Sequence, residues 1–266
     1  LMSKSVGKTN NPNSKSNKGE GISNNSQPLN ELDLNKESKT SQKVESTGKI
    51  PSARFGHTLT MVSSSKIVMF GGAVGDTKNF VFSNETYTLN LSTRIWNRLE
   101  INTNSLPCPR AAHAACGLGE NQLLMYGGSI GRGDLAGEEM FFLDLKAGEE
   151  VASWTALNTS GRSPGKRYGH TLCCIFPNVI LFGGNTGSAP SNEVFIINLN
   201  NEYNNSFVWN KLDMSSNQIP SPRVYHAASV CTKGNAMGMM ILFGGRDHQD
   251  QAMNDTWGLR KHRNGT

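Results

Sequence analysis

Four histidines, His57, His113, His170 and His226, are the first candidates for chemistry, because imidazole nitrogens bind transition metals and exchange protons near neutral pH. Each closes the same frame, P-x-x-R-x-x-H, which starts at Pro51, Pro107, Pro164 and Pro220, spaced by 56, 57 and 56 residues. One metal ion holds its nitrogens at about 2.0–2.1 Å. Equivalent positions of successive repeats are kept further apart than the ~4.8 Å spacing of paired strands. One His per repeat therefore does not make one metal site, and no metal is expected. Each imidazole is expected to hydrogen-bond backbone within its own repeat. The arginines of the frame, Arg54, Arg110, Arg167 and Arg223, carry two readings. Their guanidinium groups can buttress carbonyls between repeats, or present a ring of donors to an acidic or phosphorylated partner segment.

Other reactive side chains fall short on spacing. "GRSPGKR" at 161–167 has three residues between its glycines where a phosphate-binding loop needs four, and Arg167 replaces the hydroxyl residue after the lysine. Cys173 and Cys174 are adjacent in a strand-like run, so they point to opposite faces and are expected to pack rather than react. More promising are the loops at 73–83, 129–137, 185–191 and 246–253, which vary in length and chemistry as binding loops do. They offer Arg132 and Asp134 in one loop, and Arg246, Asp247 and His248 in another. The "RGD" at 132–134 has adhesion meaning only outside a cell.

The elements that must position these residues recur with the frame. After each histidine comes a short strand-like run, then an apolar run closed by a glycine pair: Gly71–Gly72, Gly127–Gly128, Gly183–Gly184 and Gly244–Gly245. A third strand opens with an acid and has an aromatic two residues on: Glu85/Tyr87, Glu139/Phe141, Glu193/Phe195 and Asp255/Trp257. A fourth carries Trp96, Trp154 or Trp209. The second run is apolar at consecutive positions, so both its faces need cover. Small four-stranded sheets leaning on one another around an axis supply it, which is an all-β propeller. The glycine pairs allow turns that a Cβ would block, and the tryptophans fill the space between blades. The repeats are placed at about 50–106, 107–163, 164–219 and 220–266. The fourth lacks its strand-four Trp, so the four are expected to be part of a larger ring.

The chain has 266 residues and a formal charge of +5. Residues 1–49 hold eight lysines, five acids and no aromatic residue, and 17 of the 49 are Asn or Ser. Such a segment cannot offset its ordering entropy and is expected to be disordered; "PLNELDL" at 28–34 is its one docking-like patch. The remaining 217 residues hold 18 basic and 16 acidic side chains, with no basic cluster to suggest nucleic-acid binding. Five cysteines without a paired spacing, no apolar leader and no run near the ~18 residues of a membrane span point to a reducing cytoplasmic or nuclear setting.

The glycine pair after strand two, the strand-three aromatic and the strand-four Trp together resemble kelch repeats over residues 50–262. The stretches "PRAAHAA" at 109–115 and "LFGGRDHQDQAMNDTWGLRKHRNG" at 242–265 are similar to the N-terminal propeller of the protein phosphatases with kelch-like domains. That family occurs in plants and apicomplexan parasites, and its plant members act in brassinosteroid signalling. The resemblance implies a propeller that recruits or regulates protein partners for a Ser/Thr phosphatase domain with two divalent metals. The GDxHG, GDxxDRG and GNHE motifs that hold such metals do not occur in this chain. No catalysis and no cofactor are therefore expected within it. A stand-alone kelch scaffold is the alternative. A copper-containing propeller oxidoreductase is a weak third, because its Tyr, Cys and His ligands cannot be assembled.

Overall fold

The apolar runs that close on Gly-Gly are strands, and their consecutive side chains serve two different cores. Leu123 and Met125 pack with Val62, Val68 and Phe70 of the preceding repeat, while Leu124 and Tyr126 pack with Leu172, Val179 and Leu181 of the following one. A computed structural model describes residues 43–260 apart from 77, 102–104, 146–150, 204–205 and 215–218. The chain divides into Leu1–Lys43 and Val44–Thr266, and the fold lies in the second unit. Most of the expected disordered tail, with its 28–34 patch, lies outside the described residues.

Each repeat is built on a meander of antiparallel strands. From inside outward, the first is Thr58–Ser63, Lys66–Phe70, Thr86–Asn90 and Ile95–Arg98. The second is Ala114–Gly119, Gln122–Tyr126, Met140–Leu145 and Val151–Leu157. The third is Thr171–Ile175, Asn178–Phe182, Val194–Tyr203 and Ser206–Leu212. In the fourth, the described strands are Ala227–Val230, Met240–Phe243 and Thr256–Leu259. The innermost strands of successive sheets lie side by side. This is the arrangement of propeller blades, with hydrophobic cores between each neighbouring pair. No α-helix occurs among the described residues.

Sequence reasoning expected four strands per blade, and three blades carry a fifth. Thr47–Gly48 pairs in parallel with Ile95–Trp96, Glu100–Ile101 with Val151–Ala152, and Thr159–Gly161 with Phe207–Trp209. The segment leading into each blade thus covers that blade's own outer edge, which would otherwise expose unpaired backbone groups. The first of these pairings also begins the folded region two residues before the expected boundary at 49. These strands are two or three residues long, too short for a side-chain pattern to reveal them.

Candidate functional site

The arginine of each frame is spent inside its own blade. Arg54, Arg110, Arg167 and Arg223 each donate from Nη1 to the carbonyl of the first glycine of the pair: Gly71 at 3.1 Å, Gly127 at 3.0 Å, Gly183 at 2.8 Å and Gly244 at 3.0 Å. Their Nε groups donate to Ser52, Cys108, Pro164 and Ser221 carbonyls at 3.0–3.1 Å. The acid and aromatic of strand three complete the cage. Glu85, Glu193 and Asp255 pair with Arg54, Arg167 and Arg223 at 2.9, 3.3 and 2.6 Å. Tyr87, Phe141 and Phe195 lie 5.2–5.5 Å beneath Arg54, Arg110 and Arg167. Burial alone would raise the Glu85 carboxyl, but the Arg54 guanidinium beside it holds it below the usual range. The hydrogen bond from Arg223 does the same to Asp255. With Arg110, Arg167 and Arg223 at most 2% exposed, these side chains turn no donor ring toward solvent, and the carbonyls they buttress lie in their own blade rather than between repeats as the sequence suggested.

His113, His170 and His226 join their blades to the previous one. The expectation of backbone bonding within the same repeat gives way to a bond across the joint. His113 Nε2 meets Thr58 Oγ1 at 3.0 Å, and His226 Nε2 meets Thr171 Oγ1 at 2.8 Å. The rings stand edge-on to Phe70, Tyr126 and Phe182, the aromatics that precede each glycine pair of the blade before. Burial, reinforced by the neighbouring arginine, pulls His113 down to about 3 and His226 down to about 4. No group of three or more His, Cys, Asp or Glu side chains converges among the described residues.

The glycine pairs belong to the same joint. A Cβ on Gly127 would stand 2.5 Å from the Arg167 carbonyl and 2.7 Å from His170 Cε1 of the next blade. The second glycine's N–H donates to that next carbonyl: Gly72 to Arg110, Gly128 to Arg167 and Gly184 to Arg223, at 2.8–2.9 Å. The tryptophans reach back similarly. Trp154 lies 4.9 Å from Phe70 and donates Nε1 to Thr86 Oγ1, and Trp209 lies 5.8 Å from Tyr126. Cys173 packs in the core toward the fourth blade and Cys174 in the core toward the second, as their alternation predicts.

What remains free is the rim formed by the loops after the glycine pairs. Each loop is anchored on the residues that follow the frame's arginine: Phe55 pairs with Ala73, Ala111 with Ser129, Tyr168 with Asn185 and Val224 with Arg246. A chain of backbone bonds runs around this face, from Ala112 N–H to Gly56, Gly169 N–H to Ala112 and Tyr225 N–H to Gly169, each at 2.8 Å. The four loops therefore share one surface. Arg132, Asp134 and His248 are exposed on it. Arg246 pairs with Asp250 at 3.0 Å. The Asp247 carboxylate accepts the backbone N–H of Gln249 and Gln251, which lowers its pKa and shapes its own turn.

Sequence reasoning missed the aromatic residues of this rim. Phe55, Phe80 and Phe82 form an edge-to-face cluster, with Phe55 43% and Phe80 40% exposed. Tyr225 is 53% exposed, 5.8 Å from Tyr168 and 5.2 Å from the Arg246 guanidinium. A signal was available: two residues after the arginine the repeats read Gly56, Ala112, Gly169 and Tyr225, and only the last is large.

Comparison with known proteins agrees with this geometry. The family model of the KLHDC2/KLHL20/DRC7 kelch-repeats domain matches residues 17–146 and 75–264. The serine/threonine-protein phosphatase BSL2 of Arabidopsis thaliana is 31% identical over 160 residues, 60% of this chain and 14% of that protein. Adagio protein 3 of the same plant is 32% identical over 59% of this chain and 26% of that protein. An F-box/kelch-repeat protein, also from Arabidopsis thaliana, is 29% identical over 79% of this chain and 44% of that protein. The chain thus spans less than half the length of each of these relatives.

Proposed function

The chain belongs to the kelch-repeat domain family, and from that premise we propose that it recruits or regulates protein partners for a Ser/Thr protein phosphatase. Kelch repeats are a non-catalytic protein-interaction module, and the working surface of this one is the loop rim. One observation carries the reading. The frame arginines are consumed inside their blades and the histidines in the joints, whereas the loops after the glycine pairs, which differ between blades, share a single face. Repeated chemistry is here architecture, and unrepeated chemistry is what a partner can recognise.

The phosphatase link rests on the glycine-pair and Arg-Asp run at 244–247 with the Gly-Leu run that follows Trp257, and on the matched segment of the plant phosphatase. The full-length transcript tests it: GDxHG, GDxxDRG and GNHE motifs are expected in the same reading frame. An F-box in their place would favour a stand-alone adaptor. The chain itself is expected to release no phosphate from phosphoserine peptides. Cross-linking of the full-length protein to a bound partner tests the surface. Links are expected at Lys78 and Lys166, beside the rim, and a predominance at Lys66 and Lys233, in the hairpins at the opposite end of the blades, would overturn it.

A further inference from the structure

Tyr225 occupies a backbone position that the fold makes unsuitable for it. The residue two after each frame arginine is left-handed in all four blades, with φ of 67° at Gly56, 54° at Ala112, 63° at Gly169 and 59° at Tyr225. Glycine adopts this conformation freely, while a bulky side chain there is strained. Burial does not compensate for the strain, because half of Tyr225 faces solvent. Strain kept at an exposed position points to a use for the side chain.

The surroundings say what that use is. The ring leans over Gly169 of the neighbouring blade, where a Cβ would stand 3.0 Å from Tyr225 Cδ1. The Tyr168 ring lies 5.8 Å from it, and the Arg246 guanidinium sits over it at 5.2 Å. Arg246 Nε is buried and has no hydrogen-bond partner among the described residues. Among the described residues its Nη1 pairs with Asp250, a carboxylate 76% exposed, and exposed pairs of this kind are weak. The rest of the guanidinium is reachable, with the side chain 42% exposed, and an incoming carboxylate could take its two terminal nitrogens together, a stronger arrangement than the single contact it would displace.

Resting on the reading of this rim as the partner surface, we infer that Tyr168, Tyr225 and Arg246 form a receptor for an acidic peptide. A Glu or Asp side chain of the partner docks on Arg246, and its neighbouring residues lie along the two tyrosine rings. Aromatic residues and arginine are the side chains that dominate such contacts.

Fluorescence anisotropy with a fluorescein-labelled Glu-Glu-Leu-Glu-Glu peptide tests this, with Lys-Lys-Leu-Lys-Lys as the charge-reversed probe. The acidic probe is expected to bind saturably and the basic probe at least tenfold more weakly. Tyr225→Gly and Arg246→Gln should each weaken the acidic probe tenfold or more, while Tyr225→Gly melts at or above the wild-type temperature because the strain is gone. No saturable binding, equal binding of the two probes, or variants within twofold of wild type would overturn the inference. Cross-links at Lys78 and Lys166 that persist in both variants would leave the rim reading standing and remove this one.

Discussion

A histidine 5–6% exposed and set edge-on to an aromatic ring is held neutral, and this makes the joints sensitive to acid. Burial is the main cause of the lowered pKa at His113, His170 and His226, and the charge of the adjacent arginine is the second. An unfolded chain takes up protons at these positions near pH 6.5, whereas the folded one resists until about 4 at His226 and about 3 at His113. Their contribution to stability is therefore complete above pH 6.5 and is lost progressively as pH falls toward those values. Glu85, Glu193 and Asp255 are shifted downward, so their contribution fades only below about pH 4.5. The window from pH 6.5 to 5 thus belongs to the histidines. Melting temperature should fall across it, and a flat profile there would contradict their buried neutral state. The sequence displayed the repetition of these residues but left two readings for the arginines. Only the cages around Arg54, Arg167 and Arg223 separate them, because acid and arginine lie about thirty residues apart in the chain.

At the scale of the blade, the joint between the second and third is the defective one. Thr58 and Thr171 each supply a hydroxyl to the histidine of the following blade, but the equivalent residue of the second blade is Ala114. His170 Nε2 is accordingly buried without a hydrogen-bond partner among the described residues. Ala114→Thr should restore the bond and stabilise the protein by about 1 kcal/mol, raising the melting temperature by about 2–4 °C. Ala114→Val adds a side chain of the same shape without the hydroxyl and should bring no such gain. Equal effects of the two would show that filling space, not the hydrogen bond, is what matters. The repeat alignment shows the alanine, but nothing in it says that this position addresses the next blade rather than its own.

Over the whole molecule, equivalent residues differ by what covers them. Phe70, Tyr126 and Phe182 are at most 3% exposed because a later blade's histidine rests on each, whereas Phe243 of the fourth blade is 52% exposed. Phe182→Ser should cost about 3–5 kcal/mol, the usual range for emptying a packed aromatic site. A loss of less than about 1 kcal/mol would show that this aromatic does not carry the joint.

The periodic frame, the two-faced apolar runs and the glycine pairs determined, from sequence alone, that the protein is a set of leaning β-sheets. Those signals are local, and each repeat states them again. The direction in which each repeated side chain acts was decided only in three dimensions. Arginine turns inward to its own blade and histidine backward to its neighbour, because those partners lie dozens of residues away along the chain. The same holds for the rim: Tyr168, Tyr225 and Arg246 become one surface only when two blades have docked.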